Sequence, residues 1–179
     1  MAKGFLVIDR GWNNIMRELK LTDRSYVKVG VQAGEMHKPS SKGSKPKDTT
    51  DMVKIAVANE FGVSTASGSR SGFSTVNIPE RSFLRSTTDE QQRNLGIMKA
   101  QAIRKITSGK TTVRRELKTI GLHLEGEIQK KIKNLRTPPN SAVTILRKGS
   151  SNPLMDTGQL RASIKSVVHL VGADGIDIG

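Results

Sequence analysis

From Thr112 to Leu135 apolar side chains return every three or four residues, at Val113, Leu117, Ile120, Leu124, Ile128, Ile132 and Leu135. That period puts them on one stripe of about six helical turns and predicts a long amphipathic helix, broken at Pro138 and Pro139. Shorter stretches follow the same rule. Trp12, Ile15, Met16 and Leu19 give a helix within Phe5–Leu21, with Asp9 as candidate cap. A second helix runs from a Thr50 or Asp51 cap through Phe61 to a stop at Gly62. A block opened by Pro79, Ile78–Arg85, leads into a polar helix with Leu95, Met98, Ala102 and Ile106 on one stripe, ending at Gly109. Beyond the double proline, Asn140 or Ser141 caps a turn through Val143 and Leu146, and Asp156 or Thr157 caps a short helix reaching Ile164.

Period-two alternation marks the strands. Ser25–Val31 alternates Tyr or Val with small or charged residues. Val167, Val168, Leu170 and Val171 precede a tight reversal at Ala173-Asp174-Gly175, and Ile176 to Ile178 alternates again. Between these elements, residues 35–50 are rich in Pro, Ser, Gly and Lys, and residues 64–76 in Ser and Gly, which predicts two flexible loops. The expected fold is a single α+β domain over residues 1–179: a small antiparallel sheet packed with three to four helices, one of them long and amphipathic, and two long flexible loops.

Composition narrows the function classes. The chain has 179 residues, 30 Lys and Arg against 16 Asp and Glu, a net charge of +14, no cysteine and only 3% aromatic residues. Without cysteine there are no disulfides, thiolate nucleophiles or Cys-based zinc sites. No run reaches the roughly 20 apolar residues of a membrane span, and Met1–Ile8 is too short for a signal segment, so a soluble chain without a leader is expected. The charge predicts long-range attraction to polyanions or acidic protein surfaces.

Catalytic patterns fail one by one. His37, His123 and His169 are each isolated, so no helical pair of metal ligands forms. Glu125 and Glu127 fall on opposite helix faces. Gly109-Lys110-Thr111 lacks the upstream glycine of a phosphate loop, and Gly68-Ser69-Arg70-Ser71-Gly72 has Arg where a hydrolase nucleophile would stand. The expectation is therefore no enzyme, no cofactor and no metal. Charge is the remaining feature: between Gln91 and Arg136 stand twelve Lys and Arg against three acids. Such helices could neutralise DNA phosphates without reading bases, and few aromatics argues against single-strand stacking. Docking onto an acidic protein ring is the competing explanation.

Several blocks in fixed order carry a resemblance: Val27-Lys28-Val29-Gly30-Val31, Ile55 to Gly62 with Asn59-Glu60-Phe61-Gly62, and Ile78 to Arg85 with Pro79, Arg81, Phe83 and Leu84. Then come Pro138-Pro139-Asn140-Ser141, Arg147-Lys148-Gly149-Ser150, and Pro153 to Ile164 with Asp156, Thr157, Gly158, Leu160 and Arg161. Together, from about Val27 to the last strand, they resemble the minor virion proteins of tailed bacteriophages, the neck, head-tail joining and tail-completion family. The resemblance implies a homo-oligomeric connector ring, six-fold or twelve-fold, that joins the DNA-filled head to the tail and has no catalytic site. It also implies neighbouring head-completion or portal-side and tail-side virion proteins as partners, packaged DNA in the channel as a further one, and a place in the virion after assembly in the host cytoplasm. A tail terminator or tail-assembly factor is the near alternative. A sequence-nonspecific nucleic-acid-binding protein is the alternative of another class.

The residues also have a physical reading beside the resemblance. Gly62 is an αL-capable helix stop, and Pro79 with Phe83 and Leu84 anchors the next helix by burying an apolar knob. The basic interaction surface is expected at Lys38, Lys42, Lys45 and Lys47 of the first loop, an arm that orders against a neighbour, and at Lys130, Lys131, Lys133 and Arg136.

Overall fold

The computed structural model describes residues 11–36, 51–69, 72–155 and 157–172. In chain order its elements are α1 (Trp12–Thr22), β1 (Tyr26–Val31), α2 (Met52–Phe61), β2 (Val63–Ser69) and β3 (Gly72–Ile78), followed by α3 (Arg85–Thr107), α4 (Val113–Asn134), α5 (Ala142–Lys148), α6 (Gln159–Ala162) and β4 (Ile164–His169). The class is α+β, with β1 and β4 forming one two-stranded sheet and β2 and β3 another. Six helices stand where three to four were expected, because the capped turns at Ser141 and near Gly158 are helices in their own right.

The described residues form two compact units, the first drawn from Met1–Lys28, Arg93–Gly121 and Val167–Gly179, the second from Val29–Gln92 and Leu122–Ser166. In the second unit the buried faces of α2, α4 and α6 close over Phe83, and Met52, Ala56, Ile128, Ile132, Leu154, Leu160 and Ile164 complete the core. The long stripe read from the sequence thus supplies Ile128 and Ile132 here, with Leu124 and Leu135 packed beside them. The first unit has a smaller core, Ile106, Val113 and Leu170, against which Leu19, Leu21, Leu117 and Val168 pack. Its α1 has no buried residue, although its apolar side chains share one face.

β1 lies antiparallel to β4, and side chains tie both ends of the pair. In the second unit the Gln32 amide donates to the Lys165 carbonyl at 3.5 Å; in the first, the Val171 N–H donates to Ser25 Oγ at 3.2 Å. Along β4, Ile164 is buried while Lys165 and Val167 face outward, the alternation expected of a half-covered strand.

Four local expectations are corrected. Residues 64–76 are not a loop: β2 and β3 pair antiparallel from Val63 opposite Ile78 to Ser69 opposite Gly72, leaving two residues to connect them, the commonest hairpin length. Small polar residues hid the pattern, because Ser and Gly read as linker when the extended backbone gives no apolar face to count. Helix α1 starts at Trp12 with Gly11 at its N-cap, φ 95°, so Asp9 is not the cap. Gly158, φ 78°, caps α6 in place of Thr157, and Asp156, the other candidate, lies outside the described residues; Ile164 opens β4 instead of ending a helix. Finally, Gly62 has φ 71° and ψ 158°, a positive φ but not the αL conformation. The sequence-predicted loop 35–50, its lysines Lys38, Lys42, Lys45 and Lys47, and the strand Ile176–Ile178 lie outside the described residues apart from Glu35 and Met36.

Candidate functional site

The motif residues from α2 to α3 meet in the second unit. Glu60, on the last turn of α2 and 3% exposed, extends its carboxylate to the start of α3. Phe83 N–H (2.8 Å) and Leu84 N–H (2.9 Å) donate to Oε2, while Arg85 N–H (3.0 Å), Ser82 Oγ (2.8 Å) and Arg85 Nε (3.1 Å) donate to Oε1. The first N–H groups of a helix have no partner within it, and a negative charge there also complements the helix dipole. Glu60 therefore caps α3 from another element. Burial alone would raise its carboxyl, but the N–H groups of Leu84 and Arg85, the Ser82 hydroxyl and the Phe83 N–H outweigh it and hold it below the ordinary value of 4.5.

Arg85 closes this cluster from the solvent side. Its guanidinium donates to Glu80 Oε1 at 2.6 Å and to the Glu60 carbonyl at 3.0 Å, and lies 4.6 Å over the ring of Phe61, which is 58% exposed. Glu80 first and Glu60 second strengthen its hold on the proton. The chain reaches this arrangement through Gly62, where an added Cβ would stand 2.9 Å from Glu80 N and 3.0 Å from the Ile78 carbonyl oxygen. Only glycine fits there.

Arg81 is 5% exposed and makes a second tie. Its N–H bonds to the Asn59 carbonyl at 2.7 Å. Its guanidinium donates to Pro138 O (2.8 Å), Pro139 O (3.1 Å), Asn140 Oδ1 (3.2 Å) and Asn59 Oδ1 (3.5 Å). Among the described residues it takes no carboxylate partner, and burial lowers its affinity for the proton. The Thr137-Pro138 peptide, just before the carbonyls that Arg81 grips, is cis. Three separate blocks of the sequence, around Asn59, Arg81 and Pro138, thus form one buried knot. Pro79 is half-buried, Phe83 fully buried, Leu84 packed against the core and Leu160 within it; Thr157 and Arg161 are exposed.

The basic residues on the end of α4 are not free cations as a group. Lys131 pairs with Glu90, and Lys130 with Glu127 at 3.7 Å. With Thr87 and Asn134 these four line an open cleft of about 220 Å³, whose opposed charges largely cancel. Lys133 and Arg136 are exposed, with Arg136 donating to the Lys133 carbonyl at 3.2 Å.

In the first unit the balance differs. Its described residues carry twelve Lys and Arg, all exposed, against Glu18, Asp23 and Glu116. Glu18 turns inward to accept the Val113 N–H at 2.8 Å and so caps α4, and buried Glu116 pairs with Lys105 at 3.5 Å. Large apolar side chains are left open as well: Trp12 (65% exposed), Ile97 and Ile103 in this unit, Phe61, Leu122 and Leu146 in the other.

Sequence reasoning missed Glu18, Arg85 and Glu125. Glu125 accepts both the N–H (2.8 Å) and the hydroxyl (2.7 Å) of Ser166, anchoring β4 to α4 within the second unit. Its position next to Leu124 on the apolar side of the helix was the available signal. Among the described residues no helix is long and apolar enough to cross a membrane, and no group of three or more His, Asp or Glu is placed to hold a metal. No family model, curated protein or solved structure matches this chain.

Proposed function

We propose that this chain is a structural subunit of a tailed-phage particle, assembling with copies of itself into a ring at the junction of head and tail. The observation that carries the reading is how its functional groups are used. Glu60 and Arg81, the charged residues of the motif blocks, are buried as internal ties that fix α2, the start of α3 and the segment at Pro138. Meanwhile Ile97, Ile103, Leu122 and Leu146 stand open to solvent on helix surfaces. Rigid ties inside and uncovered apolar side chains outside suit a part that is completed by contact with its neighbours.

The order of the motif blocks supports the same reading and supplies its location. The test is an image of purified particles carrying a labelled copy of this subunit, together with the mass of the isolated assembly. Label at the junction and a closed ring of one repeating mass are expected. Particles that attach tails normally without the polypeptide would overturn the proposal, and label at the tail end of the joint alone would assign it to the tail terminator.

A further inference from the structure

Twelve exposed cations with two of three carboxylates turned inward set the described residues of the first unit apart from those of the second. We infer that the outward faces of its helices bind the phosphate backbone of duplex nucleic acid without regard to sequence. In the first unit's part of α4 the buried positions are Val113, Glu116, Ile120 and Gly121, and Arg114, Arg115 and Lys118 are exposed. Four residues of helix advance about 6 Å, so Arg114 and Lys118 are spaced like phosphates about two steps apart on one strand, roughly 7 Å along the axis. Arg17 and Lys20 present a second pair on α1, and Arg104 lies on the solvent side of α3 opposite Ala102 and Ile106.

The choice of a nucleic acid over an acidic protein follows from how one-sided the charge is: twelve exposed cations stand among the unit's described residues, and Asp23 is the one carboxylate there that is not turned inward. A duplex presents a negative charge at every step of its backbone, whereas a protein surface intersperses acids with bases. The arc of Arg114, Arg115 and Lys118 has Thr119 beside it, and exposed Leu122 follows one turn after Lys118 on the same helix. A row of like charges matches a uniform polyanion, and phosphate contacts fix position while carrying no sequence information.

This inference rests on the proposed function only for the source of the duplex, the genome passing the junction; binding itself is a property of the isolated chain. The test is fluorescence anisotropy of the full chain with two labelled duplexes of unrelated sequence, from roughly 50 to 200 mM salt. Equal affinity for both is expected, falling steeply with salt. The triple variant Arg114→Gln/Arg115→Gln/Lys118→Gln should bind about tenfold or more weakly at low salt and flatten the log–log salt slope by about 2.7, roughly 0.9 per lost phosphate contact. Lys54→Glu/Lys165→Glu, at exposed positions in the second unit, should change affinity by less than about twofold, and thermal melts of all variants report that they fold. Three results would each overturn the inference: no duplex binding at low salt, a folded triple variant that binds like the parent, or polyglutamate binding more tightly than duplex at equal charge concentration. None of them touches the ring, whose own failure would appear as absence from the particle.

Discussion

Glu60 ties the end of α2 to the start of α3, because four groups of α3's approach converge on one carboxylate. Replacing it with alanine orphans those donors and should cost about 3 kcal/mol, and Glu60→Gln, which keeps the shape but not the charge, about half that; urea unfolding at neutral pH measures both. The carboxyl is held below its ordinary value, so its contribution is complete above about pH 4.5 and is lost as pH falls through the folded-state value. Acid unfolding of Glu60→Gln should consequently be shallower than that of the parent over that range. Gly62→Ala meets backbone at 2.9 Å and also fixes a side chain at φ 71°, so a loss of about 3 kcal/mol in the same unfolding assay is expected. Arg81→Lys keeps the charge but lacks the fork that reaches Pro138, Pro139 and Asn140 together, and should lose about 2 kcal/mol.

At the scale of elements, α4 is held by its buried stripe and α3 largely is not. Ile132→Ala, at a position with no exposure, should cost about 3 kcal/mol in unfolding experiments. Ile97→Ser on α3 should change monomer stability by less than about 0.5 kcal/mol, while reducing the mass of the assembly measured by light scattering if that face meets a neighbouring subunit. What the sequence made legible follows the same division. Val113, Ile120, Ile128 and Ile132 announced α4 because burial on one side imposes a period that can be counted. The hairpin β2–β3 was illegible because Ser, Gly and Thr leave no such period, and only the ladder defines it. The knot at Arg81 was half legible: the blocks could be seen, but that Arg81 reaches residues 57 and 58 positions away is a matter of tertiary geometry. Glu18 as the cap of α4 was hidden for the same reason, 95 residues separating donor from acceptor.

At the scale of the whole chain, charge is unevenly distributed. The second unit's described residues carry eleven Lys and Arg against eight Asp and Glu, with Lys130 and Lys131 already paired, whereas the first has an excess of nine. On the proposed function, reversing Lys130, Lys131, Lys133 and Arg136 together should weaken attachment of the chain to its particle, and raised salt should weaken it further in a co-sedimentation assay, since exposed charges act over only about 8–10 Å at ordinary ionic strength. Removing Lys38–Lys47 should leave the melting temperature of the isolated chain unchanged within a few degrees and lower particle yield. Met36 and Asp51 are bridge partners, and the Met52 N–H bonds to the Glu35 carbonyl at 2.8 Å, so the chain departs and returns at a single seam. Such a seam fixes the point at which the chain leaves and the point at which it comes back, whatever length of sequence joins them. Insertions or exchanges of sequence between Met36 and Asp51 would therefore leave the register of the helices on either side undisturbed.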